Sequence, residues 1–171
     1  MSQVLYSRIR QKYLSGDYRD LFGTIMSVAD EIGLDAALAH LEWCVTEKRL
    51  AWLDDNLASL ARTGNRLHDA YRAFYESYLG IAPPADGEIV AQTADRIVTR
   101  WWNVCPVLDV CAELGLDTRD VCRKAYEKPV QAFLSRLHPG LRFRRDYDRI
   151  RPHAPYCEET IMLQPESGDK G

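Results

Sequence analysis

At 171 residues, with 46% hydrophobic, 27% charged and 10% aromatic side chains, the chain has globular proportions, unlike a disordered, collagen-like or coiled-coil protein. A chain of this length buries roughly 70% of its unfolded surface, so folding needs no disulfide or metal staple. The formal net charge of −3 gives no global attraction to nucleic acid or an anionic membrane, and no uncharged apolar run approaches the ~20 residues of a membrane span.

The first eighty residues read as helical. Leu21, Phe22, Ile25, Val28, Ala29 and Ile32 recur at spacings of three and four, and Gly33 is a natural stop. Asp35 is placed to cap a long helix carrying Leu38, Leu41, Val45, Leu53, Leu57 and Leu60, ending near Arg62-Thr63-Gly64. Asn65 caps a third, with Leu67, Tyr71, Phe74, Tyr75 and Tyr78 on one face and Gly80 after it. The segment Ile81–Gly87, with two prolines and a glycine, reads as a loop. Glu88–Ala91 and Arg96–Val104 then read as strands rich in Ile, Val, Thr and Trp. A short helix follows Pro106 and stops at Gly115; a longer one runs from Asp117 or Thr118 to Leu137, bent at Pro129. Leu141–Asp148 and Cys157–Leu163 read as an antiparallel hairpin. Helices followed by strands predict an α+β fold, with an N-terminal helical layer packed on a small antiparallel sheet. Residues 1–164 are expected to form one domain: a helical part to residue 80, the 81–87 loop, and a cysteine-containing part from 88. Residues 165–171 are expected to be a disordered tail.

The first twenty residues lack an apolar stretch of the secretory kind, so the expected compartment is the cytoplasm. The five cysteines, Cys44, Cys105, Cys111, Cys122 and Cys157, then read as reduced thiols. Cys105 precedes Pro106, and proline favours the first helical position, so Cys105 falls at a helix N-cap. Backbone N–H groups and the helix dipole there favour a thiolate, the form that reacts or binds metal. Cys111, between Leu108 and Leu114, reads as a core residue. Strand alternation puts Cys157, Glu159, Ile161 and Leu163 on one face and Glu158 on the other, so Glu159 points inward if that face is buried; the favoured reading is that the strand end frays and Glu159 reaches water. The spacing of Cys105, Cys111 and Cys122 matches no standard structural zinc motif. His40 and Cys44, four apart on a helix, have no evident third partner, and His153 lies in a proline-rich turn before Cys157. Arg142 and Arg144 share a strand face and read as a solvated surface or a carboxylate-binding patch, while Trp101 and Trp102, on opposite faces, offer one candidate pocket wall.

The order Cys105-Pro106, Glu113-Leu114-Gly115-Leu116, Cys122, Pro139 to Phe143 and Cys157-Glu158 resembles the L-2-amino-thiazoline-4-carboxylic acid hydrolase-like family over the last 65 or so residues. It resembles vinyl-reductase-type ligand domains more distantly. The chain departs from the family pattern at Ala125, in place of an acidic residue, and at Glu159, in place of an aromatic; the glycine before the last cysteine is also absent. The resemblance groups Cys105, Cys122 and Cys157 and implies hydrolysis of a C–N or C=N bond in a cyclic amidine or thiazoline. Cys105 would be the nucleophile, Glu158 or Glu159 would handle the proton, and Arg142 or Arg144 would hold a substrate carboxylate. No cofactor is required. A second reading, of a different class, is a non-catalytic module binding a small molecule or a metal, zinc or iron, through Cys105, Cys122 and Cys157. The expected partner is a small molecule, with no nucleic acid or membrane; a third reading, a structural subunit whose aromatic helices bind a partner, predicts a stable homo-oligomer with unreactive thiols.

Overall fold

A computed structural model describes residues 2–164; the tail expectation for 165–171 lies outside the described residues. In chain order the elements are α1 (Gln3–Ser15), α2 (Tyr18–Ile32), α3 (Leu34–Asn56), α4 (Arg66–Tyr71) running on as a π-helix (Arg72–Leu79), β1 (Gly87–Gln92) and β2 (Arg96–Trp101). There follow α5 (Pro106–Leu114), α6 (Thr118–Val121) with a π-helical stretch (Cys122–Tyr126), α7 (Glu127–Leu137), β3 (Leu141–Arg145) and β4 (Cys157–Leu163). This is the α+β class, with helices mostly N-terminal and strands C-terminal. Among the described residues no helix is long and apolar enough to cross a membrane.

The described chain packs as two compact units. One comprises the residues up to Ala51 together with Val104–Pro129; the other comprises Trp52–Asn103 together with the residues from Val130 onward. The division falls within α3 and α7 rather than at the Ile81–Gly87 loop. In the first unit, Leu5, Ile9 and Tyr13 of α1 recur every fourth residue and pack with Leu21, Phe22, Ile25 and Val28 of α2 and Leu38, Leu41 and Val45 of α3. Val107, Val110 and Cys111 of α5, with Val121 and Ala125, complete that core. Burying each of the larger side chains contributes about 1.5–3 kcal/mol before ordering entropy is subtracted.

The second unit is built on a four-stranded antiparallel sheet in the order β1-β2-β4-β3. The expected C-terminal hairpin is β3 and β4, paired from Leu141↔Leu163 to Arg145↔Glu159. One face presents Ile97, Thr99 and Trp101 from β2, Glu159 and Ile161 from β4, and Leu141 and Phe143 from β3, all buried. Phe74 and Tyr75 of the π-helix pack there with Phe133 and Leu134 of α7. Phe74 and Phe133 meet edge to face at 5.3 Å, an arrangement aromatic quadrupoles favour.

Element bounds differ from the sequence reading in strands and helices alike: β2 stops at Trp101, not Val104, and β3 at Arg145, not Asp148. Helix α3 starts at Leu34 because the Gly33 carbonyl already accepts the Ala37 N–H at 3.1 Å; Asp35 lies inside the first turn. It ends at Asn56, before Leu57, where the Asn56 side-chain amide donates to the Trp52 carbonyl and the Asn56 carbonyl accepts the Ser59 N–H and hydroxyl. The helix expected from Asp117 to Leu137 widens to π geometry over Cys122–Tyr126. A proline ring clashes with the carbonyl four residues before it. For Pro129 that carbonyl is Ala125's, inside the widened stretch.

Candidate functional site

Cys105 is the N-cap of α5, with extended backbone (φ −131°, ψ 103°), Pro106 in the first turn, and no capping hydrogen bond from its own side chain. The thiol is half-buried. The first amides of a helix lack intrahelical acceptors and carry the positive end of its dipole. Of those after Cys105, Pro106 has no N–H and the Leu108 N–H returns to the Cys105 carbonyl at 3.1 Å.

The other thiols of this unit sit differently. Cys111 is fully buried, as expected of a core residue, and burial, with the nearby charges of Cys105 and Asp117, pushes its thiol up to about 11. Cys44 is also buried, and burial pushes it up to about 11 as well. Cys122 is half-buried where α6 passes into the π-helical stretch. Asp117 caps α6 by accepting the Arg119 N–H at 2.8 Å, and its carboxylate is gripped by the Arg119 guanidinium at 2.6–3.1 Å. The sequence reading took Asp117 only as a helix start.

His40, four residues before Cys44, is buried beside the Tyr6 ring, with centroids 6.2 Å apart, and among the described residues its Nδ1 has no hydrogen-bond partner. Burial lowers its pKa. The Tyr6 hydroxyl donates to Glu47.

In the second unit, Cys157 opens β4, half-buried and in register with Trp101. Glu159 is buried, so the favoured expectation of a frayed strand end with Glu159 in water is corrected: the residue is paired within β4 and faces inward, the other outcome that alternation allowed. Its Oε1 accepts from Arg145 Nη2 at 2.5 Å and Nε at 2.8 Å, and its Oε2 accepts the Tyr75 hydroxyl at 2.8 Å. The Thr99 hydroxyl donates to the Glu159 carbonyl at 3.3 Å. Burial, then the Glu159 charge, raises the Tyr75 phenol well above its ordinary value, so Tyr75 stays a donor. A carboxylate removed from water needs such partners. Alternation from Leu141 and Phe143 put Arg145 on the Glu159 face, so this partner was open to inference and was missed; Tyr75, 84 positions away, carried no local signal.

Glu158 faces the other side of the sheet and accepts from Arg100 at 2.8 Å and Arg149 at 2.9 and 3.1 Å. Arg142 donates to the Pro139 and Leu141 carbonyls, while Arg144 is exposed. Trp101 is buried and stacks over Tyr71; among the described residues neither the Trp101 Nε1 nor the Tyr71 hydroxyl has a hydrogen-bond partner. Trp102 is partly exposed and donates to the Ala85 carbonyl at 3.1 Å. Cys105 and Cys122 thus belong to one unit, and Cys157, both glutamates, both arginines and both tryptophans to the other. Among the described residues no group of three or more His, Cys, Asp or Glu side chains is arranged to hold a metal ion.

Compared with known proteins, the chain matches no family model, no curated protein and no solved structure.

Proposed function

We propose that this chain is a hydrolase-like enzyme acting on a C–N or C=N bond of a small molecule of the cyclic amidine or thiazoline type, with Cys105 as nucleophile. The observation that carries the proposal is the place of Cys105: a half-buried thiol at the N-cap of a nine-residue helix. A thiolate gains there from the helix dipole. Cys44 and Cys111, with thiols pushed up to about 11, are protonated at neutral pH and unsuited to attack.

The chemistry balances without a cofactor. The thiolate adds to the electrophilic carbon, forming a C–S bond and moving the C=N electron pair onto nitrogen, which takes a proton from solvent water; the water that later displaces sulfur returns a proton to solvent. A C–N bond of the tetrahedral carbon then breaks, and the nitrogen leaves protonated. Water displaces sulfur from that carbon, and the thiolate is restored. The step asks nothing of Glu158 and Glu159, whose carboxylates are already engaged by arginines.

Alkylation by iodoacetamide across pH, read by mass spectrometry at each cysteine, tests the premise. Cys105 should react first, with a midpoint below the ordinary ~8.5 of a free thiol. Hydrolysis of 2-aminothiazoline-4-carboxylate should fall at least about 10³-fold in Cys105→Ala. A Cys105 that reacts no faster than a free thiol, or a turnover indifferent to its loss, overturns the proposal.

A further inference from the structure

A cleft of about 220 Å³ opens in the second unit, between the residues that follow α3, the α4 region and the end of α7. Its floor is apolar, formed by Leu57, Leu60, Ala70, Ala73, Leu137 and Leu141. Its rim is polar, with Arg62, Arg66, Asp69 and His138. Asp69 is already committed: its carboxylate accepts the Thr63 N–H at 3.0 Å and the Thr63 hydroxyl at 2.7 Å. Arg62 makes no hydrogen bond or ion pair among the described residues. His138 Nδ1 accepts the Gly140 N–H at 3.1 Å, which leaves the ring proton on Nε2 and makes that nitrogen a donor. The rim therefore offers cationic and neutral donors, with its one carboxylate spent on the neighbouring loop.

We infer that this cleft binds a small amphipathic anion, a single carboxylate or phosphate head on a short apolar body, with the head on Arg62 and His138 and the body on the leucine floor. Charge complementarity selects the head: an anion gains charge-assisted hydrogen bonds from Arg62 that an amine or alcohol does not. Volume selects the body. At about 30 Å³ per water the cleft displaces on the order of seven waters, which suits a chain or ring of about six to ten heavy atoms and not a long lipid tail. Apolar lining with few placed polar groups is the usual make-up of a small-ligand site. The inference does not rest on Cys105.

Calorimetric titration of the whole chain with octanoate, octyl phosphate and 1-octanol tests it. One of the anions should bind at one equivalent and at least about tenfold more tightly than the alcohol, the tighter of the two identifying the head. Arg62→Glu should weaken that anion at least about tenfold and leave octanol unchanged. Ala61→Trp, a substitution at an exposed position on the cleft wall, should abolish binding of all three while thermal unfolding is retained. Cys105→Ala should bind as the unaltered chain does, which separates this site from the proposed nucleophile. Equal affinity for octanol and both anions, no heat at up to about 5 mM ligand, or binding that survives Ala61→Trp overturns it.

Discussion

Glu159 shows how much one buried side chain can be asked to hold. It lies on the covered face of a strand, and its charge is matched by Arg145 from the neighbouring strand and by the Tyr75 hydroxyl from the π-helix above. Both members of the ion pair are close to dry, with side chains 8% and 11% exposed. Removing one partner strands the other charge. Glu159→Gln should therefore cost about 3 kcal/mol in urea unfolding. Tyr75→Phe, which removes one neutral donor and no charge, should cost about 1–2 kcal/mol. If the two substitutions prove equally mild, the pair is not the buried device described here. Period-two alternation put Glu159 on the inward face but did not show that the strand end stays paired; Cys111 as core was legible from its helical spacing to Leu108 and Leu114. Tyr75 was not, because a contact across 84 positions leaves no trace in a local pattern.

The elements were legible to the extent that their signals are local. Asn65 caps α4, as its place in the sequence suggests, by accepting the His68 N–H at 3.1 Å, and the Gly80 and Gly115 ends fall where the residues placed them. The two π-helical stretches were not legible, since an extra residue per turn alters no polarity pattern over five to eight residues. Nor was the steric demand at the start of β1. A Cβ on Gly87 would stand 2.3 Å from the Arg100 carbonyl oxygen and 2.4 Å from the Trp101 ring. Backbone and a packed indole cannot both yield, so Gly87→Ala should lose about 2 kcal/mol or more in chemical unfolding. An unchanged midpoint would show that the β1–β2 edge gives way freely.

At the scale of the whole molecule, titration sets a window of stability. Burial lowers the pKa of His40, so its contribution is present above the unfolded value near 6.5 and is lost as pH falls through the folded one. Cys44 and Cys111 hold their protons up to about 11, against about 9 in the open chain. Their contribution is full below about 9 and is lost as pH rises toward 11. Unfolding free energy should therefore form a dome between these limits. His40→Leu should flatten the acid limb, and Cys44→Ala with Cys111→Ala the alkaline limb, whatever each does to the plateau. Limbs that keep their slopes in these variants would assign the titration elsewhere. The α+β class was readable because helical and strand periodicities occupy different stretches of the chain. Which thiols share a unit was not, since that depends on where the chain returns.

That return has a consequence during synthesis. Each unit is assembled from two stretches of polypeptide with a stretch of the other between them: the residues up to Ala51 wait for Val104–Pro129, and Trp52–Asn103 wait for the chain beyond Val130. Emerging N-terminus first at roughly 5–20 residues per second, the nascent polypeptide spends several seconds with the greasy sides of α1, α2 and α3 lacking α5. No single cut yields either half complete, so a ribosome-bound or truncated fragment ending near Asn103 should seek a chaperone where the finished chain does not.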